Sequence, residues 1–150
     1  MLIFSHFQDN DSLASRVAVE IGADLAILMS DVDGIYDKPP SHDNARVIHT
    51  FVPSDVGKVE FGAKSNVGTG GMESKVKSAL WALDNGTSVV ICNGMKYRSI
   101  RKIIDGEKVG TFFAKTTMGG QPAEILAKNG NFICIYKNFT LGDSLIIMSE

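Results

Sequence analysis

Cysteine, histidine and net charge are all scarce in this chain of 150 residues, which has two cysteines, three histidines and a formal net charge of −2. Each scarcity excludes something. Cys92 and Cys134 lie far apart in separate apolar runs, which reads as buried thiols in a reducing compartment rather than a disulfide framework or a metal site. His6, His42 and His49 have no companion nucleophile and no ligand spacing, so they read as surface or loop residues. The near-neutral charge gives no electrostatic case for nucleic acid or an anionic membrane. No apolar run approaches the roughly 20 residues of a membrane-spanning helix. The opening MLIFSHF is too short for a secretory signal and lacks a basic start. The remainder is 44% hydrophobic and 21% charged, an ordinary globular composition with room for one domain and a sizeable core.

What the chain does have is concentrated in residues 67–83, VGTGGMESKVKSALWAL. Glycines at 68, 70 and 71 run directly into Met72, Val76, Ala79, Leu80 and Leu83, whose spacing by threes and fours predicts an amphipathic helix. A glycine loop at the free N–H groups of a helix start, with Lys75 one turn in, is a physical recipe for holding phosphate. The spacing is not that of a Walker A motif. The plainer reading is a glycine-rich turn capping a surface helix.

Along the chain, helices alternate with strands. Leu13, Arg16, Val17, Glu20 and Ile21 predict a helix ending at Gly22, with Asp11 or Ser12 as its N-cap. The apolar run 24–29, closed by Ser30 and Asp31, suits a central strand buried on both faces. Residues 31–44 hold Gly34, Pro39 and Pro40 and read as a loop. A short strand over 47–52 and a short helix opening at Pro53 follow. After the helix that ends at Asn85 and Gly86, residues 88–92 form a second apolar strand, closed by Asn93 and Gly94. A helix over 97–104 and a strand over 109–113 come next. The alternation predicts a three-layer α/β/α sandwich with a mainly parallel sheet, and such sheets bind ligands at the carboxyl ends of their strands, where Asp31 and Asn93 fall. Residues 132–136 and 144–148 read equally as two more strands or as apolar runs in a poorly ordered tail.

Three polar clusters are candidates for chemistry. Asp9, Asn10 and Asp11 at a helix start suit either a substrate amino group and a cationic catalytic residue, or a helix cap with solvated neighbours. Ser30 and Asp31, followed by Gly34 and Tyr36, suit a nucleotide site or any strand-to-helix loop. The glycine loop with Lys75 is the third, and Lys64 is a further cation near it.

FQDNDSLA, LMSDVDGIYD, VGTGGMESKVKSALWAL and EKVGTFF, in that order, together resemble the glutamate 5-kinases of the amino acid kinase family. The likeness is greatest to the kinase portion of animal pyrroline-5-carboxylate synthases. It covers about residues 7–113, and residues 114–150 have no counterpart in it. The resemblance implies an amino acid kinase (carbamate kinase-like) fold, present in part. Residues 1–113 would be the C-terminal, nucleotide-binding half of the kinase domain and 114–150 a tail. It implies ATP-dependent phosphorylation of the side-chain carboxylate of L-glutamate to glutamyl 5-phosphate in proline biosynthesis, with Mg²⁺ held largely by the phosphates. Carried onto matching positions, Asn10, with Asp9 beside it, contacts glutamate. Asp11 orients catalytic lysines, and Ser30 and Asp31 contact nucleotide. Thr69, Gly70, Gly71, Met72, Glu73, Ser74 and Lys75 form the ATP loop, with Lys75 on the transferring phosphoryl group.

The family's other phosphate loop, with its own lysine, belongs to an N-terminal half that the residues before Phe7 do not supply. The isolated chain is therefore expected to bind nucleotide without turning glutamate over, and to end its sheet on an unpaired apolar edge. A non-catalytic nucleotide-binding fragment and a sibling kinase acting on acetylglutamate, aspartate or a nucleoside monophosphate remain as alternatives. The Asp9–Asp11 triplet together with GTGGMESK favours glutamate. The resemblance further implies a homo-oligomer for the complete kinase, in the mitochondrion for an animal-type bifunctional synthase and otherwise in the cytoplasm.

Overall fold

The two most continuous apolar runs of the sequence become neighbours at the centre of a sheet. Strand β1 (Leu25–Ser30) pairs in parallel with strand β3 (Ser88–Asn93), with Leu25 opposite Ser88 and Ser30 opposite Asn93. Neither run alternates polar with apolar, because both faces are covered. Ala26, Leu28, Val89 and Ile91 face one layer, packing with residues of helices α1 (Asn10–Glu20) and α2 (Met72–Asp84). Leu25, Ile27, Val90 and Cys92 face the other, against Ile100 and Ile103 of helix α3 (Ser99–Ile104). This is the three-layer arrangement expected, and Cys92 is a buried thiol within it.

The computed structural model describes residues 9–60 and 71–115, with the backbone of 132–136 and 144–148. The remaining strands are β2 (Thr50–Phe51), β4 (Thr111–Phe113), β5 (Phe132–Tyr136) and β6 (Ser144–Met148), in the sheet order β2-β4-β3-β1-β5-β6. A 3₁₀ turn, Pro53–Lys58, follows β2. β1 pairs in parallel with both β3 and β5, and β2 with β4, whereas β3–β4 and β5–β6 are antiparallel. The sheet is thus mixed around a parallel centre. The second edge of β1 is filled by β5, so the long unpaired edge among the described strands belongs to β6 rather than to the strand at the domain's centre.

Several expectations shift on detail. The N-cap of α1 is Asp9, neither Asp11 nor Ser12: its backbone is extended and its Oδ1 accepts from Ser12 N at 2.8 Å. The buried stripe of α1 is Asp11, Ala14, Ser15 and Ala18, while Leu13 and Ile21 are 41% and 52% exposed. Small side chains on that stripe let α1 lie close against α2. The strand expected over 47–52 shrinks to Thr50–Phe51, because Val47 is engaged in a bridge to Tyr36. The helix expected from 97 starts at Ser99, since Arg98 has a positive φ of 64°. The strand expected from 109 starts at Thr111, since Gly110 has φ 77°.

Candidate functional site

Each main helix reaches its strand through a short turn, α1 into β1 and α2 into β3, so each runs antiparallel to the strand that follows it. Their N-termini therefore stand at the carboxyl ends of those strands. The contacts between the helices show that they also run side by side in the same direction. Asp9 meets Ser74, Asp11 meets Lys75, Ser12 meets Ser78, and one turn on the Arg16 guanidinium lies 4.8 Å from the centre of the Trp81 ring.

Two parallel helices with adjacent N-termini bring two positive dipole ends together. Lys75 adds a full charge in the same place, and it is only 7% exposed. Two carboxylates answer this accumulation. Lys75 Nζ donates to Asp11 Oδ2 at 2.9 Å, in a pair whose side chains are 9% and 10% exposed. Asp9 Oδ2 accepts from Ser74 Oγ at 2.6 Å and from Ser12 Oγ at 3.1 Å. Burial pushes the Asp9 carboxyl up, but donation from the Ser74 hydroxyl, then from Ser12, and the charge of Lys75 outweigh it and hold it below its ordinary value. The N-cap of α2 is Gly71, which offers no side-chain cap to the first-turn amides. A helix start without a side-chain cap, beside a buried cation, suits an anion.

The second cluster lies at the ends of β1 and β3. Ser30 Oγ donates to Asp31 Oδ1 at 3.0 Å; Ser30 is buried and Asp31 exposed. Asp33, absent from the sequence-based candidates, is the most connected acid here. It accepts from Asn93 Nδ2 at 2.9 Å and pairs with Lys96 Nζ at 2.8 Å. The hydrogen bonds from Lys96 and then Asn93 hold its carboxyl below the usual range against the effect of burial. The available signal was the position of Asn93 at a strand end opposite Ser30; its partner could not be read from local pattern.

Of the other candidates, Asn10 is exposed in the first turn of α1, Met72 packs against the core, and Glu73 Oε1 pairs with Lys77 Nζ at 2.6 Å. Thr69, Gly70 and Lys64 lie outside the described residues. His42 and His49 are exposed, and His49 Nδ1 is 3.0 Å from Gly110 O.

An α/β/α layer structure with paired helix starts and a buried lysine–aspartate pair where they meet defines an α/β protein with its candidate site at the strand ends. The chain belongs to the amino acid kinase family, whose pattern matches residues 4–93. Among curated relatives, a delta-1-pyrroline-5-carboxylate synthase 1 of Oryza sativa subsp. japonica is 52% identical over 110 residues, covering 73% of this chain and 15% of that protein. A glutamate 5-kinase of Clostridium acetobutylicum is 48% identical over 110 residues, covering 71% of this chain and 41% of that one. The chain thus spans well under half the length of either relative. Among solved structures, uridylate kinase from Archaeoglobus fulgidus superposes with a TM-score of 0.54 and 26% identity, over 73% of this chain and 48% of that one.

Proposed function

We propose that this chain supplies the ATP-binding portion of a glutamate 5-kinase, which transfers a phosphoryl group from ATP to the side-chain carboxylate of L-glutamate in proline biosynthesis. The observation that carries the reading is the buried Lys75–Asp11 pair where the starts of α1 and α2 meet. Identity of 48% to a bacterial glutamate 5-kinase supports the choice of substrate. In this reaction a glutamate carboxylate oxygen attacks the γ-phosphorus, and the bond from that phosphorus to the β,γ-bridging oxygen breaks to release ADP. The nucleophile is already ionised, so the protein contributes position and positive charge rather than a base.

Lys75 is assigned to the transferring phosphoryl group, with Asp11 fixing its ammonium. Residues 69–75 cradle the phosphates at the start of α2. Ser30 and Asp31 contact the nucleotide. Asn10 contacts glutamate. The part given to Asp9 is adjusted by its geometry: both its oxygens are engaged by Ser12 and Ser74, which supports a positioning role between the helices more than direct contact with substrate. Among the described residues no group of three or more His, Cys, Asp or Glu is placed to hold a metal by itself. The Mg²⁺ that accompanies ATP is proposed to be carried largely by the nucleotide phosphates. Residues 1–113 are proposed as the nucleotide-binding part of the kinase domain, followed by a tail, 114–150, whose strands β5 and β6 join the same sheet.

The test has two arms. Titration of the 150-residue chain with MgATP by calorimetry should show binding, and trapping with hydroxylamine should show no glutamyl phosphate from the chain alone. A chimera in which this chain replaces the matching segment of the Clostridium acetobutylicum enzyme should form glutamyl phosphate from glutamate and not react with acetylglutamate or aspartate. A chimera that folds and binds MgATP but transfers nothing leaves only the non-catalytic, nucleotide-binding reading. Absence of MgATP binding in both proteins removes the nucleotide site altogether.

A further inference from the structure

Residues 31–49 leave the sheet at the end of β1 and return at β2, carrying Asp31 and Asp33 on the outward limb. The two limbs are laced to each other. Ile48 N donates to Ile35 O at 2.8 Å, Tyr36 bridges Val47, Asp37 N donates to Arg46 O at 3.0 Å, and Arg46 N donates to Asp37 Oδ1 at 2.9 Å. These bonds close the excursion on itself, but they do not fix it relative to the sheet.

One hydroxyl does. Thr111 Oγ1 accepts from Ile35 N at 2.7 Å and donates to Ile48 O at 2.6 Å, so it grips both limbs at the point where they meet. Thr111 is fully buried and opens β4, in register with Ile91 of β3. A hydroxyl is suited to this position because it donates and accepts through one small atom. The glycines around it are fitted to the same approach. A Cβ on Gly34 would stand 2.6 Å from Thr111 Oγ1, and a Cβ on Gly110 would run into the Ile91 carbonyl. Asp33 is thus held from two sides, by Asn93 and Lys96 beyond β3 and by the grip on Ile35 two residues along.

We propose that Thr111 is a positioning residue for the nucleotide contacts at the end of β1, setting through Ile35 and Ile48 where the Ser30–Asp33 loop stands. The identity of the ligand rests on the function proposed above; the grip itself does not. Two readouts separate them in the full 150-residue chain: amide hydrogen exchange over residues 31–37, and MgATP affinity by calorimetry.

Thr111→Val keeps the shape and removes both hydrogen bonds. It should speed exchange over 31–37 by about tenfold or more and weaken MgATP binding by about tenfold, given the usual cost of leaving buried groups unpaired. Exchange in β1 and β3 should not change, which a general loss of stability would not reproduce. Thr111→Ser should restore both readouts. Thr111→Cys, a weak donor and acceptor of similar size, should fall between, and it serves in place of the valine variant if that one does not fold.

Unchanged exchange at Ile35 in the valine and cysteine variants would overturn the grip. Faster exchange with unchanged MgATP affinity would overturn its bearing on the nucleotide. A wild-type chain that binds no MgATP would instead remove the nucleotide reading and with it the ligand half of this proposal, while the exchange data would still decide the grip.

Discussion

Ser74 Oγ donates to Asp9 Oδ2 at 2.6 Å, so the carboxylate that caps α1 also holds the first turn of α2. Two helices that would repel through their aligned dipoles are tied at the ends where that repulsion is greatest. Because Asp9 serves both helices, its ionisation is coupled to their packing as well as to the cap.

The first prediction concerns acid. The folded-state pKa of Asp9 lies below its unfolded value of about 3.8. Stability from its charge is therefore fully present above that value and is lost as pH falls through the lower, folded value. Asn caps a helix about as well as Asp, so Asp9→Asn keeps the cap and removes the charge. Urea unfolding should show the wild type more stable than Asp9→Asn at pH 6, with the difference closing below pH 4. A difference that persists unchanged to pH 2 would show that the charge contributes nothing.

A second prediction isolates the buried ion pair. Asp11→Asn and Lys75→Met each leave a buried group without its charged partner, and each should cost about 3 kcal/mol or more in chemical denaturation. The double variant should recover part of that loss, since neither charge then remains uncompensated. Additive losses in the double variant would mean that the two side chains do not depend on each other.

In the chimeric kinase, Lys75→Ala should lower kcat by about a thousandfold or more, with glutamate KM moving much less, as for other cations placed on a transferring phosphoryl group. Steady-state kinetics with glutamate varied at saturating MgATP decide this. A near-normal kcat would remove Lys75 from the catalytic set.

Two glycines give a contrast in backbone terms. Gly22 has φ 69° with open space around it, so Gly22→Ala should cost only the left-handed penalty of about 1–2 kcal/mol. A Cβ on Gly34, at φ 156°, would meet Thr111 Oγ1 at 2.6 Å and Val47 Cγ1 at 2.9 Å, so Gly34→Ala should cost clearly more. Thermal unfolding of the two variants side by side checks the ranking.

Much of this fold was legible because its strongest signals are local. β1 and β3 showed themselves as apolar runs without alternation, which is what burial on both faces requires. α2 matched its period closely: of the five apolar positions that suggested it, Val76, Ala79 and Leu83 are buried and Met72 and Leu80 pack against the core. α1 was found, but the residues whose spacing marked it are not its buried face. The weight of Leu13 and Ile21 pointed one way, while close packing against α2 selected the small residues Ala14, Ser15 and Ala18. The direction of β4 against β3 has no local signature, since antiparallel and parallel neighbours can present the same apolar run. In the site, Lys75 and Asp11 were both singled out from sequence, but their pairing joins residues on different helices. Asp33, Lys96 and Thr111 went unnoticed for the same reason: each draws its importance from a partner distant in the chain.

The position of β5 has a consequence for assembly. With β3 on one side and β5 on the other, β1 has no free backbone ladder. A strand arriving from another polypeptide, or from elsewhere in a longer one, has two ways to join. It can extend the sheet at β6 or at the two-residue β2, or it can compete with β5 for the register Leu25↔Phe132 to Met29↔Tyr136. The second route is a strand exchange, and its rate is set by how readily the β5–β6 pair peels from the sheet.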